Sequence, residues 1–218
     1  MQQIESLFPG KFYHIYNHAV GGRNLFREPD NYEYFLFLYD KYISPVADTY
    51  VWVLMPNHFH LLVRIKENNK DAAVLGPSNL TGLQNLSGLK PPYQHFSNLF
   101  NAYTKALNKR FTCRGSLFER PFKRKLIHSM DYLKKAVQYI HDNPIHHGFC
   151  RHPLEYPWSS YITVVSSKRT KLKRDDVLEW FGDLPGFENS HHEEPDTRYF
   201  DKWLGMKTSH RMKTEKEQ

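Results

Sequence analysis

Cysteine is scarce in this chain. Only Cys113 and Cys150 occur in 218 residues, and no CxxC pair exists. That excludes a disulfide framework and a cysteine-built zinc site, and it fits a reducing cytoplasm. No apolar run approaches the length of a membrane span. The first residues, MQQIESLFPGKFYH, lack the basic-then-apolar order of a secretory signal. A cytoplasmic protein with no membrane partner is therefore expected. A GxxxxGK phosphate loop is also missing, which argues against nucleotide-driven chemistry of that kind. Internal repeats are not evident.

What the chain does have is apolar mass and positive charge. It is 40% hydrophobic and 15% aromatic, enough for a real core in one domain with a tail or in two small ones. The net charge is +7 and the pI is near 9.2. Such a balance suits a polyanion partner, nucleic acid or an anionic membrane face, although a plain soluble basic surface carries the same signature.

Periodicity supplies the element order. Lys11 to His18 alternates and reads as a strand, and a glycine-bearing loop follows. Pro29-Asp30 opens a helical run to about Ile43, with Tyr34, Phe35, Leu38, Tyr39 and Tyr42 spaced by three and four. TYVWVLM, Thr49 to Met55, and HFHLLVRI, His58 to Ile65, are β-rich runs joined by a Pro56-Asn57 turn, hence a hairpin. Residues 66–93 shift to Asn, Gly, Ser and Pro and read as a long loop insertion. Gln94 to Phe111 is again helical, Leu117 to Ile127 is extended around Pro121, and Ser129 caps a helix expected to stop near Asn143, before Pro144. The order strand, helix, strand, strand, helix, strand predicts an α+β, ferredoxin-like βαββαβ sheet with one additional helix. Residues 1–160 form the expected catalytic-type domain. Residues 161–218 form a basic C-terminal extension, with a basic run, SSKRTKLKR, and a short helix over DDVLEWFG.

Within the third strand sits MPNHFHLLV, Met55 to Val63. Side chains alternate along a strand, so Phe59, Leu61 and Val63 point one way and His58 and His60 the other, about 7 Å apart. Two imidazoles at that spacing can close on one cation, or can be inert histidines on a half-exposed sheet face. The distinction needs a third ligand and a reacting group. The last helix offers both. Leu133, Ala136, Val137 and Ile140 form its buried stripe, and Tyr132, Tyr139 and Asn143 share one flank. Tyr139 and Asn143 are four apart, one turn from each other. Asn143 brings an amide oxygen suited to Mg²⁺ or Mn²⁺, and Tyr139 a phenol beside it. Each also reads as an ordinary helix residue, a boundary tyrosine and a helix-end asparagine.

MPNHFHLLV, YIHDNP and YPWSSY together resemble the single-tyrosine transposases whose signature is His, bulky hydrophobic residue, His, the HUH motif; here those residues are His58, Phe59 and His60. YHIYNHAVGGRNLF and GSLFERPFKRK are similar to the REP-associated branch, the domesticated relatives of insertion-sequence enzymes. The resemblance spans roughly residues 10 to 165. It implies metal-dependent breaking and joining of single-stranded DNA at hairpin sites through a 5′-phosphotyrosine, with Tyr139 as nucleophile, His58, His60 and Asn143 as ligands, and Mg²⁺ or Mn²⁺ as cofactor. Imidazole ligands favour Mn²⁺ of the two. Tyr132 is the rival nucleophile. No general base is identified: helix geometry turns His141 away from Tyr139, and His146 and His147 read as a solvated loop end. The branch also implies a monomer rather than a dimer. A replication-initiator-type nickase, or a non-catalytic hairpin-binding protein, would share the same residues.

DNA contact is expected from Arg114, Arg120, Lys123, Arg124 and Lys125, interleaved with Phe118 and Phe122. Cations bind phosphates and rings stack on unpaired bases. The same charges equally protect an edge strand from aggregation.

Overall fold

The structure is a computed structural model that describes residues 6–67 and 90–191. Four strands, β1 (Phe12–His18), β2 (Ala47–Met55), β3 (His58–Ile65) and β4 (Lys123–Ile127), pair antiparallel in the order β2-β3-β1-β4. Helices α1 (Pro29–Ile43) and α2 (Pro92–Arg110) fill the two βα positions, so the chain is α+β with the expected βαββαβ order. Most of the 66–93 insertion, residues 68–89, lies outside the described residues, and α2 begins at Pro92 rather than Gln94.

The sheet separates two apolar cores. On one face Tyr13, Ile15, Phe59, Leu61 and Val63 meet Phe35 and Leu38 of α1 and Phe96, Leu99 and Tyr103 of α2. Phe35 and Tyr103 pack edge to face at 5.1 Å, and the Tyr103 hydroxyl donates to the Leu25 carbonyl at 2.7 Å. The hairpin turn is held from outside. The Pro56 carbonyl accepts from the Leu25 and Phe26 amides, and the Asn57 carbonyl from Ala19.

On the second face Val51, Val53, Met55 and Leu62 meet α3 (Met130–His146) through Leu133, Ala136, Val137 and Ile140, the stripe read from spacing. A register shift between Thr49 and Val51 turns both Tyr50 and Val51 toward this core. Ser129 caps α3 as expected, its side chain accepting from the Tyr132 amide at 3.3 Å.

The helix does not stop at Asn143. Pro144 sits inside it and the turn continues, with the His147 amide donating to Asn143 O at 3.1 Å. Pro144 brings no N–H to the Ile140 carbonyl, a loss tolerated because it falls in the last turn.

Three further helices, α4 (Tyr161–Val165), α5 (Arg174–Trp180) and α6 (Leu184–Ser190), follow within the C-terminal extension. Their Tyr161, Val164, Val177 and Phe187 are buried in the second core. Phe187 is fully buried, with ring neighbours Tyr161, Phe181, His141 and His191. Residues 192–218 lie outside the described residues.

Phe187→Ala should therefore cost about 3–5 kcal/mol of unfolding free energy, the range for a buried aromatic truncated in a core. Urea denaturation checks this. A loss below about 1 kcal/mol would mean that the extension does not fold cooperatively with the sheet.

Candidate metal and nucleophile site

Strand alternation sends Phe59, Leu61 and Val63 into the first core and leaves His58 and His60 on the α3 face. There they are not half-exposed. His58 is 2% exposed and His60 is fully buried, because α3 covers them. Across the strands Tyr16 lies opposite His60, and His18 lies opposite His58 with the two rings stacked at 4.9 Å.

The helix spacing delivers its two residues to the same place. Asn143 Oδ1 is 2.9 Å from His58 Nε2. The Tyr139 ring stands edge-on to His60 at 5.4 Å and to His14 at 6.1 Å. Tyr132, two turns earlier, packs half-buried against the second core instead. His141 points away from the site, as helix geometry predicts, and its Nε2 meets the Ser160 hydroxyl at 2.8 Å.

Proton counting at His58 is informative. Its Nδ1 faces Asn57 Oδ1 at 2.7 Å and its Nε2 faces Asn143 Oδ1 at 2.9 Å. Burial pushes the His58 pKa down to about 3, so the ring is neutral near pH 7 and carries one N–H. With both amides oriented oxygen-inward, one of the two contacts sets two lone pairs face to face. A cation between them relieves that repulsion. Two donor atoms 2.9 Å apart fit neighbouring corners of an octahedron with bonds of about 2.1 Å. The Nε2 of His60 is buried with no hydrogen-bond partner, which fits a nitrogen that serves as a ligand. Among the described residues no group of three or more His, Cys, Asp or Glu is placed to hold an ion, so a centre here depends on the amide of Asn143.

Several neighbours escape a reading of the sequence alone. His14 Nε2 lies 2.9 Å from His60 Nδ1, both residues being fully buried. His147, expected as a solvated loop end, is exposed, yet its ring lies 5.0 Å from that of His58. Asp142 is buried with neither carboxyl oxygen hydrogen-bonded, and burial pushes its pKa up to about 8. The alternation in YHIYNH marks His14, Tyr16 and His18 as one face. Only the β1–β3 pairing shows that it is the face of His58 and His60.

The basic residues divide. Lys123 lies opposite Tyr16 and Lys125 opposite His14, so both share the site's face. Arg124 is on the other face, its guanidinium 4.4 Å over the Phe122 ring. Arg114 and Arg120 are exposed, and Arg120 donates to Asn101 Oδ1 at 3.2 Å. Phe118 and Phe122, read as rings for stacking on bases, are 4% and 8% exposed. Phe118 packs on Phe100 at 4.9 Å in the first core. Both rings line a groove of about 940 Å³ with Phe100, Tyr93, Arg120 and Arg124.

No protein-family model and no curated protein matches the sequence. Among solved structures, the chain is similar to a REP-associated tyrosine transposase bound to a REP hairpin, at 15% identity. The likeness covers 77% of this chain and 86% of that one, with a TM-score of 0.58. At that identity the likeness is one of fold. Among the described residues no helix is long and apolar enough to cross a membrane.

Four imidazoles on this side of the sheet, His14, His58, His60 and His141, are held below the ordinary histidine value by burial, His14 and His58 down to about 3. Their folded pKa lies below the unfolded one, so the unfolded chain binds more protons on acidification. The stability linked to this is complete above about pH 6.5 and is lost as pH falls toward about 3, by up to ~1.4 kcal/mol per histidine per pH unit. Urea midpoints of chelator-treated protein should hold steady above about pH 7 and drop steeply below about 6. A midpoint that stays flat to about pH 5 would show that these rings are not buried and neutral.

Proposed function

We propose that this chain is a single-tyrosine transposase of the REP-associated kind, a metal-dependent single-stranded DNA endonuclease and strand transferase acting at hairpin sites. The observation that carries the reading is the meeting of His58 Nε2 and Asn143 Oδ1 at 2.9 Å, next to the partnerless Nε2 of His60 and one helical turn from Tyr139. The fold likeness to a transposase bound to a REP hairpin is consistent with it.

In this reading His58, His60 and Asn143 hold one Mg²⁺ or Mn²⁺, and imidazole donors favour Mn²⁺. Such an ion would supply Lewis-acid polarisation of a non-bridging oxygen of the scissile phosphate. Tyr139 Oη attacks phosphorus in line. Its phenolic proton is lost to solvent, the bond from phosphorus to the 3′ oxygen breaks, and that oxygen takes up a proton from solvent to end as a hydroxyl. The product is a 5′-phosphotyrosine, which stores the bond energy, so rejoining needs no nucleotide. A phenol with a pKa of about 10 is a poor nucleophile at neutral pH, which is why it needs a charged or polarised neighbour. Lys123 and Lys125, on the same face, would receive the phosphates leading to Tyr139. Arg114, Arg120 and Arg124 would contact DNA farther away. The protein acts in the cytoplasm on a folded single strand, as a monomer.

A hairpin-binding protein without catalysis is the second reading. The observation that favours it is the burial of Tyr139, which is 5% exposed.

The deciding experiment incubates the protein with labelled single-stranded hairpins from the DNA flanking its gene, with Mn²⁺, Mg²⁺ or a chelator, beside Tyr139→Phe. A denaturation-resistant adduct that needs metal and vanishes in the variant is expected. An adduct that survives in Tyr139→Phe makes Tyr132 or another residue the nucleophile. Hairpin binding with no adduct under any condition supports the binding protein.

A further inference from the structure

The geometry points to His14 as a positioning residue that fixes which nitrogen of His60 faces the site. The inference rests on the metal site proposed above. His14 comes from β1, outside the sequence stretch that carries His58 and His60. It is not directly across from His60, since its register partner is Leu62. Its ring nevertheless stacks near His60 at 5.0 Å, and Nε2 of His14 reaches Nδ1 of His60 at 2.9 Å. Both residues are fully buried, so water does not compete for this bond.

The bond has two possible directions with opposite consequences. If His14 donates, His60 accepts at Nδ1 and carries its proton on Nε2, where it cannot ligate. If His14 accepts, His60 donates from Nδ1 and presents a bare Nε2 lone pair. Hydrogen bonding within the protein does not choose between them, because the two remaining ring nitrogens, Nε2 of His60 and Nδ1 of His14, are buried alike. A cation at Nε2 of His60, as in the metal site proposed above, needs a lone pair there and so selects the second direction. His14 accepts, and a hydrogen bond to one ring nitrogen sets the role of the other.

Two substitutions separate this bond from mere packing. His14→Phe keeps a flat ring beside Tyr16 and His60 but removes the acceptor. His14→Gln loses the ring but can place an amide oxygen near the position of Nε2. Manganese binding to the full chain, measured by titration calorimetry, is expected to weaken by about 10–100-fold in His14→Phe and to recover most of that loss in His14→Gln. Nitrogen-15 spectra of the metal-free wild-type protein are expected to place the His60 proton on Nδ1.

Wild-type affinity in His14→Phe overturns the inference, as does a Gln variant that folds yet binds as weakly as the Phe variant. A His60 proton on Nε2 in the wild-type spectra also overturns it, without requiring either variant to fold. If the wild-type chain binds no manganese, the metal site itself fails and His14 has nothing to position. That result differs from a normal wild-type affinity left unchanged by His14→Phe.

Discussion

The 2.9 Å contact between His58 Nε2 and Asn143 Oδ1 joins the tyrosine helix to the sheet at its polar end. Everything apolar nearby serves its register. Leu133, Ala136, Val137 and Ile140 seat α3 on Val51, Val53 and Leu62, and that packing fixes the rotation of the helix. Rotation decides which flank faces β3. A one-residue slip would swing a side chain by about 100° around an α-helix. Asn143 would leave His58 and Tyr139 would leave His60 together, since the two are one turn apart. Helix position and site assembly are one constraint here.

The same arrangement works against stability. Several imidazoles and a carboxyl group are buried between apolar layers, and Asp142 has no hydrogen bond to offset its desolvation. Burial holds His58 and His14 neutral near pH 7. Left as it stands, the cluster pairs lone pairs at His58 and strands a nitrogen at His60. An apolar replacement would serve the fold better, since a partly satisfied buried polar network is worse than none. Local rules broken within an otherwise consistent core mark a site whose groups have another use.

Much of this was readable from period alone. The two-residue alternation of HFHLLVRI separates the faces of β3, and the stripe from Leu133 to Ile140 orients α3. What period cannot show is which strands are neighbours. His14 is one more alternating residue until β1 pairs with β3, and the burial of His58 cannot be read before α3 lies over it. Pro144 misleads for a similar reason. As a local signal it ends a helix, but α3 runs on to His146, two residues past it. Phe118 lies in a basic stretch and looks like a nucleic-acid contact. Its bridge to Ala19 instead turns the ring toward Phe100 and Tyr103.

The basic run of β4 shows how the sheet divides a sequence signal. Lys123, Arg124 and Lys125 are consecutive, and a run of three suggests one charged patch. On a strand they alternate, so the two lysines accompany Tyr16 and His14 while Arg124 goes with Phe122 and the groove. β4 is an outer strand of the sheet, five residues long. A single nucleic-acid strand touching all three cations would have to cross that edge from the face of Tyr139 to the face of the groove. Short edge strands also carry charge simply to resist pairing with other chains. Protection explains charge on either face equally well. Placing the lysines in line with the two histidine-bearing strands, on the side where Tyr139 lies, is a further property that protection does not require.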